Sequence, residues 1–143
     1  MTESVGSAGK TRNRFLSLFF DQIKQVLQEQ GSGLLFAYLF GSQARGEANH
    51  PDGDVDVAIF VAGDADAQDI RLELYGALSR CLKRNDIDIL ILNRTRNLML
   101  PGEIIREGIV LLDRNPELRE AYEVEALHRA IDFKEQRVAL MGR

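Results

Sequence analysis

The feature that most constrains this chain is a pair of short apolar segments joined by a turn of small residues. Residues 34–40 form an apolar run that is too short for a typical helix, which predicts a buried strand. The run ends at Gly41 and Ser42, where a permissive backbone position precedes a hydroxyl that can cap the next segment. Turn-forming residues at 49–53 then lead into a second predicted strand, residues 54–61.

Three aspartates on predicted strands are candidate ligands for a cation. Asp54 and Asp56 share one face of the second strand, about 6–7 Å apart, because alternate side chains of a strand point the same way. Such a pair is a weak signal alone, since exposed strand faces often carry aspartates. Asp88 lies on another apolar strand, residues 86–92, where a charge is costly unless it is paired or binds a metal. The three carboxylates therefore predict a cation site.

The Gly-Ser turn adds the second half of the predicted site. Backbone N–H groups and a hydroxyl at the N-terminus of a short helix-like segment favour the binding of an anion such as a phosphate. The aspartate oxygens are hard ligands without a nearby histidine or cysteine cluster, which favours Mg²⁺ over zinc. Together these residues are typical of a site where Mg²⁺ assists displacement at phosphorus.

Composition limits the class of protein. The chain has 143 residues, 45% apolar and 28% charged, as expected for one soluble globular domain. A net charge of −4 argues against broad nucleic-acid binding. The single Cys81 excludes a disulfide framework and a cysteine-rich zinc site. No leader and no apolar run of about 20 residues is present, so we expect a cytoplasmic protein without membrane association.

Apolar periodicity predicts the remaining elements. We expect residues 1–10 to be an unordered tail and residues 11–143 to form one domain. Tyr75 and Cys81 are expected on the buried face of the second helix. The expected elements are helices over residues 11–30, 68–83 and 103–107, a loop over 93–101, a strand over 109–112 and a C-terminal helix over about 116–141. The predicted fold class is α/β (α+β), a small mixed sheet with helices packed against it.

The C-terminal helix carries two apolar stripes, whereas a helix that covers one core usually has a single stripe about 100° wide. The stripes are Val124, Leu127, Ile131, Val138 and Ala126, Ala130, Phe133, Leu140. Two interpretations stay open: deep burial in the domain, or docking of a partner protein or a second copy of the chain. Under the second interpretation, Phe133→Glu weakens partner binding more than it lowers stability.

The central motif resembles that of a known family. Residues 41–46, Gly-Ser-Gln-Ala-Arg-Gly, followed by residues 53–56, Gly-Asp-Val-Asp, resemble the signature of the nucleotidyltransferase superfamily typified by DNA polymerase beta. The short chain is similar to the minimal nucleotidyltransferases, MntA-like proteins that are often paired with a HEPN-domain partner. The likeness covers about residues 12–115. One departure is the spacing: eleven residues separate Ser42 from Asp54, where ten are common.

The resemblance implies a role for each motif residue. Asp54, Asp56 and Asp88 would bind Mg²⁺, with two ions expected, and Asp88 could take the proton of the acceptor hydroxyl. Gly41 and Ser42 would hold the nucleotide's β- and γ-phosphates. For Arg45 two interpretations stay open, because it could bind phosphate or brace its own loop.

The resemblance also implies an activity. It is transfer of AMP from ATP to a tyrosine hydroxyl of a cognate HEPN ribonuclease toxin, with release of pyrophosphate, so that the chain acts as an antitoxin. The short chain has no separate acceptor-binding domain, which favours an acceptor on another protein. Two alternatives stay open: a non-catalytic antitoxin that acts by binding alone, and transfer to a hydroxyl of a small molecule.

Overall fold

The computed structural model describes residues 7–44 and 53–141, with side-chain burial given for residues 17–44 and 53–140. Four helices and four strands occur in these two ranges. In chain order they are α1 (Ser7–Gln28), β1 (Leu34–Phe40), β2 (Val55–Val61), α2 (Ala67–Leu82), β3 (Ile87–Ile91), α3 (Leu100–Glu107), β4 (Ile109–Asp113) and α4 (Pro116–Met141). A 3-10 turn at Leu92–Arg94 follows β3. The predicted α/β class is confirmed.

The four strands form one mixed sheet in the order β3-β2-β1-β4. Strand β1 is antiparallel to both β2 and β4, whereas β2 and β3 are parallel and are connected through α2. A parallel pair needs such a crossover connection because the chain must return to the same end of the sheet. As a result, the starts of β2 and β3 and the end of β1 meet at one edge of the sheet.

Helices cover both faces of the sheet. One face packs against α1 and α2. The core between them is formed by alternate residues of β2 and by Ile23, Leu27, Leu74 and Leu78 of the two helices. The other face carries a second cluster, in which Phe36, Tyr38, Ala58, Leu92 and Ile104 are buried. Burial on both faces explains why β1 and β2 are almost continuously apolar in sequence.

A polar network attaches α4 to the second face of the sheet. The Tyr38 hydroxyl donates to Glu123 Oε2 over 2.7 Å. Arg119 donates to Asp113 Oδ2 over 2.8 Å and to Glu123 Oε2 over 2.9 Å. Burial raises the pKa of Tyr38 above its usual range, so the phenol stays protonated and keeps donating. The network fixes the helix on strands β1 and β4.

The two predicted stripes of α4 have different environments. Ala126 and Ala130 are buried, and a Cβ added to Gly102 of α3 would come within 2.8 Å of the Ala130 Cβ. Close approach of α3 and α4 thus depends on small residues. The other stripe is mostly exposed, by 56% at Val124, 49% at Ile131 and 63% at Val138, whereas its Leu127 is half-buried. Leu140, the last member of the stripe that contains Ala126 and Ala130, is exposed as well. Deep burial of both stripes is therefore wrong.

The largest differences from the predicted helix boundaries are at the starts of α1 and α3. Helix α1 begins at Ser7, four residues before the predicted start, so part of the expected tail is helical and residues 1–6 lie outside the described part of the chain. Helix α3 begins at Leu100 because Pro101 sits in the first turn, where a missing N–H breaks no helical hydrogen bond. Asn97 Oδ1 accepts from the N–H groups of Met99 and Leu100 and caps this helix.

Two predictions for α2 are wrong. Tyr75 and Cys81 were expected to be buried, yet both are exposed. The buried stripe of this helix is centred on Leu74 and Leu78. At 3.6 residues per turn, Tyr75 and Cys81 lie about 60° to either side of Leu78 and so reach the margins of the packed face. Within the described residues, no helix has the length and apolar character needed to cross a membrane.

Candidate active site

The turn after β1 lies directly against the second aspartate of the motif. Gly41 has φ +77°, a backbone conformation that favours glycine. A Cβ at this position would overlap the Oδ2 atom of Asp56. Phe40, the residue before the turn, is also the register partner of Asp56 across β1 and β2. The structure therefore brings the Gly-Ser turn and Asp56 together, and both the backbone and the space require glycine at position 41.

Asp56 and Asp88 lie side by side on adjacent strands. They are register partners in the parallel pair of β2 and β3, so their backbones are about 4.8 Å apart. Residues in register on parallel strands point to the same face of a sheet. Asp88 is exposed and Asp56 is half-buried, so this carboxylate pair opens to solvent at the edge where the strands start.

The other predicted site residues are near this pair in the chain, but no contact with the pair is described for them. Asp54 is exposed and immediately precedes β2, two residues before Asp56. Ser42 is half-buried in the turn, which closes with a 3.2 Å hydrogen bond from the Ala44 N–H to the Gly41 carbonyl. Arg45 lies outside the described residues, so both interpretations of its role stay predictions.

The donor set fits Mg²⁺ bound together with a nucleotide. Within residues 7–44 and 53–141, no group of three or more histidine, cysteine, aspartate or glutamate side chains is already arranged around a metal position. Mg²⁺ commonly takes one or two protein carboxylates, with water and substrate phosphates as its other ligands. The oxygen atoms of Asp56 and Asp88, beside a turn that lacks a Cβ at Gly41, match that pattern.

Sequence reasoning missed two residues that bind the backbone directly before β2. Gln43 is buried, and its Nε2 donates to the Gly53 carbonyl over 3.1 Å. Arg84 donates to the same carbonyl over 2.5 Å. The one sequence signal was that Gln43 is a polar residue within the Gly-Ser motif, whereas the polar segment around Arg84 has no distinctive pattern.

Asp86, which marks the entry to β3, has a structural partner. Arg84 Nε donates to its Oδ1 over 2.6 Å, and Arg84 Nη2 donates to its Oδ2 over 2.5 Å. The hydrogen bond from Arg84 lowers the pKa of the Asp86 carboxyl below its usual value. The main chain of Asp86 also accepts from the Val55 N–H over 2.9 Å. Asp86 thus links the beginnings of β2 and β3.

Two half-open cavities border the site. One, of about 210 Å³, is lined by Phe40, Gly41 and residues of α3. The other, of about 280 Å³, is lined by Asp88, its neighbours on β3, and residues of α2 that include Leu72 and Tyr75. The first cavity thus lies next to the Gly-Ser turn, and the second lies between α2 and β3, with Asp88 in its lining.

Comparison with solved structures supports the fold. A crystal structure described as a toxin-antitoxin with AMP-PNP matches with a TM-score of 0.70 and 24% identity, covering 86% of this chain and 95% of that chain. A chain of a tri-AMPylated Shewanella oneidensis HEPN toxin in complex with MNT antitoxin matches with a TM-score of 0.67 and 23% identity, covering 89% and 96%. A toxin-antitoxin MntA-HepT structure gives a TM-score of 0.65 at 22% identity, covering 88% and 96%.

Sequence comparison identifies the family. Comparison with curated proteins finds no match. The family model described as "Polymerase beta, Nucleotidyltransferase" matches residues 21–117. That range contains β1, β2 and β3, and with them the Gly-Ser turn and all three aspartates of the motif. The chain therefore belongs to the polymerase beta nucleotidyltransferase family.

Proposed function

We propose that this protein is a Mg²⁺-dependent nucleotidyltransferase that transfers AMP from ATP to a tyrosine hydroxyl of a cognate HEPN ribonuclease toxin. It would thereby act as an antitoxin. The observation that carries the proposal is the meeting of the Gly41 turn, Asp56 and Asp88 at one edge of the sheet. Each comes from a different strand or its end, and together they offer phosphate-binding and metal-binding groups.

Each residue has a defined task in this reaction. The backbone at Gly41 and the Ser42 hydroxyl hold the β- and γ-phosphates. Asp54, Asp56 and Asp88 would hold Mg²⁺, expected as two ions, and the bound metal would supply positive charge to offset the charge that develops on the phosphates. Asp88, which is exposed on β3 beside Asp56, would accept the proton of the incoming hydroxyl. The hydroxyl oxygen bonds to the α-phosphorus as the bond to pyrophosphate breaks. Arg45 would bind phosphate or brace its loop.

Two observations support a protein acceptor. The solved structures that this chain is similar to include a complex whose toxin is tri-AMPylated. Helix α4 carries an exposed apolar stripe, including Val124, Ile131 and Val138, that no described part of this chain covers. A hetero-complex through this helix would bring the acceptor hydroxyl to the site, and a homo-oligomer is the alternative use of the same surface. The proposed use of ATP implies a cytoplasmic location.

A non-catalytic antitoxin is the second candidate. The exposed stripe of α4 favours it, because a docking surface neutralises a partner whether or not AMP is transferred. The two candidates differ in their dependence on the aspartates. Under the catalytic proposal, neutralisation of the partner requires them, whereas under the second it does not.

The test uses ATP labelled at the α-phosphate, Mg²⁺ and the protein encoded by the adjacent gene. We expect label on that protein with the wild type and none with the Asp54→Asn, Asp56→Asn double variant, whose fold should persist because repulsion between carboxylates is removed. Label on a small molecule instead would identify a different acceptor. Equal labelling by the double variant would eliminate the mechanism.

A further inference from the structure

We propose that Gln43 and Arg84 are positioning residues that set the start of β2, and with it Asp54 and Asp56, by jointly holding the carbonyl of Gly53. This role rests on the proposed function, since it concerns the placement of the metal-binding carboxylates. Neither side chain is needed as a ligand. They act through the backbone directly before the first aspartate.

The first half of the arrangement comes from the Gly-Ser turn. Gln43 is one residue after Ser42, and only 6% of it is exposed. Its Nε2 donates to the Gly53 carbonyl over 3.1 Å. A buried amide that lost this partner would carry a desolvation penalty, so the contact is favoured once Gln43 is enclosed. This hydrogen bond connects the Gly-Ser turn directly to the start of β2, although Gln43 and Gly53 are ten residues apart in the sequence.

The second half comes from the junction of α2 and β3. Arg84 Nη2 donates to the Gly53 carbonyl over 2.5 Å and its guanidinium binds both carboxylate oxygens of Asp86. The Asp86 carbonyl in turn accepts from the Val55 N–H. The residues on either side of Asp54 are therefore both held by the segment 84–86. This segment directly precedes β3, the strand that carries Asp88, so one cluster joins the starts of both carboxylate-bearing strands.

The chemistry of the two side chains explains why they are suited to this task. The guanidinium of Arg84 is planar and has several donors, so it can bind a carboxylate in bidentate fashion and still reach a carbonyl. A lysine offers a point charge and cannot reproduce all three contacts at once. Loss of either contact leaves the Gly53 carbonyl with one hydrogen-bond donor. The start of β2 then becomes more mobile, and the positions of Asp54 and Asp56 are less well defined for Mg²⁺ binding.

The decisive experiment measures Mg²⁺ affinity and AMP transfer separately. Mg²⁺ is titrated against the full chain with a non-hydrolysable ATP analogue, followed by calorimetry, for the wild type, Arg84→Met, Arg84→Lys and Gln43→Leu. Arg80→Met, an exposed arginine at the end of α2, is the matched control. We expect Arg84→Met to weaken Mg²⁺ binding about 10-fold, in the range known for residues that orient metal ligands, with Arg84→Lys intermediate. Gln43→Leu should also weaken Mg²⁺ binding.

The outcomes separate this role from the function on which it rests. Wild-type Mg²⁺ affinity in folded Arg84→Met and Gln43→Leu would overturn the positioning role and leave the proposed function intact. If Arg84→Met fails to fold, wild-type affinity in Arg84→Lys and Gln43→Leu has the same meaning. A wild type that binds Mg²⁺ and nucleotide but transfers no AMP would overturn the proposed function alone. A wild type that binds no Mg²⁺ would overturn both.

Discussion

At the scale of single residues, the site depends most on Gly41. Its φ of +77° disfavours any side chain, and a Cβ would also enter the space of the Asp56 carboxylate. We predict that Gly41→Ala lowers the free energy of unfolding by about 1–3 kcal/mol and abolishes AMP transfer, because the alanine displaces Asp56. Denaturant unfolding and the labelling assay measure the two effects. Gly63→Ala is the control, since a Cβ at Gly63 meets nothing within 4 Å. Wild-type transfer by Gly41→Ala would disprove the close contact.

A second residue-scale prediction concerns alkaline pH. Burial raises the pKa of Tyr122 from 10.0 to about 12 in the folded protein. The folded state thus favours the neutral phenol, so this contribution to stability is complete below pH 10 and is lost as the pH rises from 10 towards 12. Urea unfolding across that range should show a steeper loss for the wild type than for Tyr122→Phe. Parallel curves for the two proteins would show that Tyr122 makes no such contribution.

The residues that the sequence could not assign are those that act on a backbone. Asp54, Asp56 and Asp88 became candidates because the aspartate pair follows a Gly-Ser turn and a third carboxylate lies on another apolar strand. Gln43 and Arg84 bind the carbonyl of Gly53, and a main-chain acceptor leaves no mark in the sequence. Their convergence depends on the packing of α2 and β3 beside β2, which local patterns do not encode.

At the scale of secondary-structure elements, one arginine stabilises the end of α1. Arg114 donates to the carbonyls of Gln28, Gln30, Gly31 and Leu34, the first three of which follow or end the helix. A positive charge at a helix C-terminus also interacts favourably with the helix dipole and so stabilises the helix. We predict that Arg114→Met lowers the free energy of unfolding by about 1–3 kcal/mol, whereas Arg96→Met, on an exposed loop, changes it little. Equal urea midpoints for the two variants would show that the carbonyl contacts contribute nothing.

The outward stripe of α4 carries the prediction about the partner. Ile131 is 49% exposed, whereas Phe133 is half-buried, so Phe133→Glu would disturb both folding and docking. Ile131→Glu is the cleaner change. We expect it to weaken binding to the proposed HEPN partner at least tenfold, a loss of about 1.4 kcal/mol, with an almost unchanged unfolding midpoint. Gln136→Glu, an exposed position on the same helix, is the charge control. Unaltered partner affinity in Ile131→Glu would exclude this surface as the docking site.

The strands were predictable and some helix ends were not. Short apolar runs and the alternation of apolar residues placed all four strands within one residue of their observed starts and ends. Helix α3 was predicted three residues too short because Pro101 was assigned to a loop, although a proline fits the first helical turn. The burial of Tyr75 and Cys81 on α2 was predicted wrongly. The spacing of apolar residues shows where the buried face of a helix lies but does not show how wide that face is.

At the scale of the whole molecule, topology assembles the site. The parallel pair β2 and β3 places Asp56 beside Asp88, and the antiparallel strand β1 ends at the same edge with Gly41. Sequence patterns predicted the strands and a mixed sheet but not the order β3-β2-β1-β4, because order depends on long-range pairing. The fold resembles toxin-antitoxin structures, and its family membership agrees with a chemistry of nucleotidyl transfer.

The central claim is that this edge of the sheet transfers AMP to a protein hydroxyl. The most direct measurement is the intact mass of the HEPN partner after incubation with ATP, Mg²⁺ and either the wild type or the single variant Asp88→Asn. The proposal predicts that the wild type increases the partner's mass by one or more AMP groups on tyrosine, whereas Asp88→Asn, which lacks the proton acceptor, leaves the mass unchanged. An unmodified partner whose ribonuclease activity is nevertheless silenced equally by both proteins would contradict the claim and establish inhibition by binding alone.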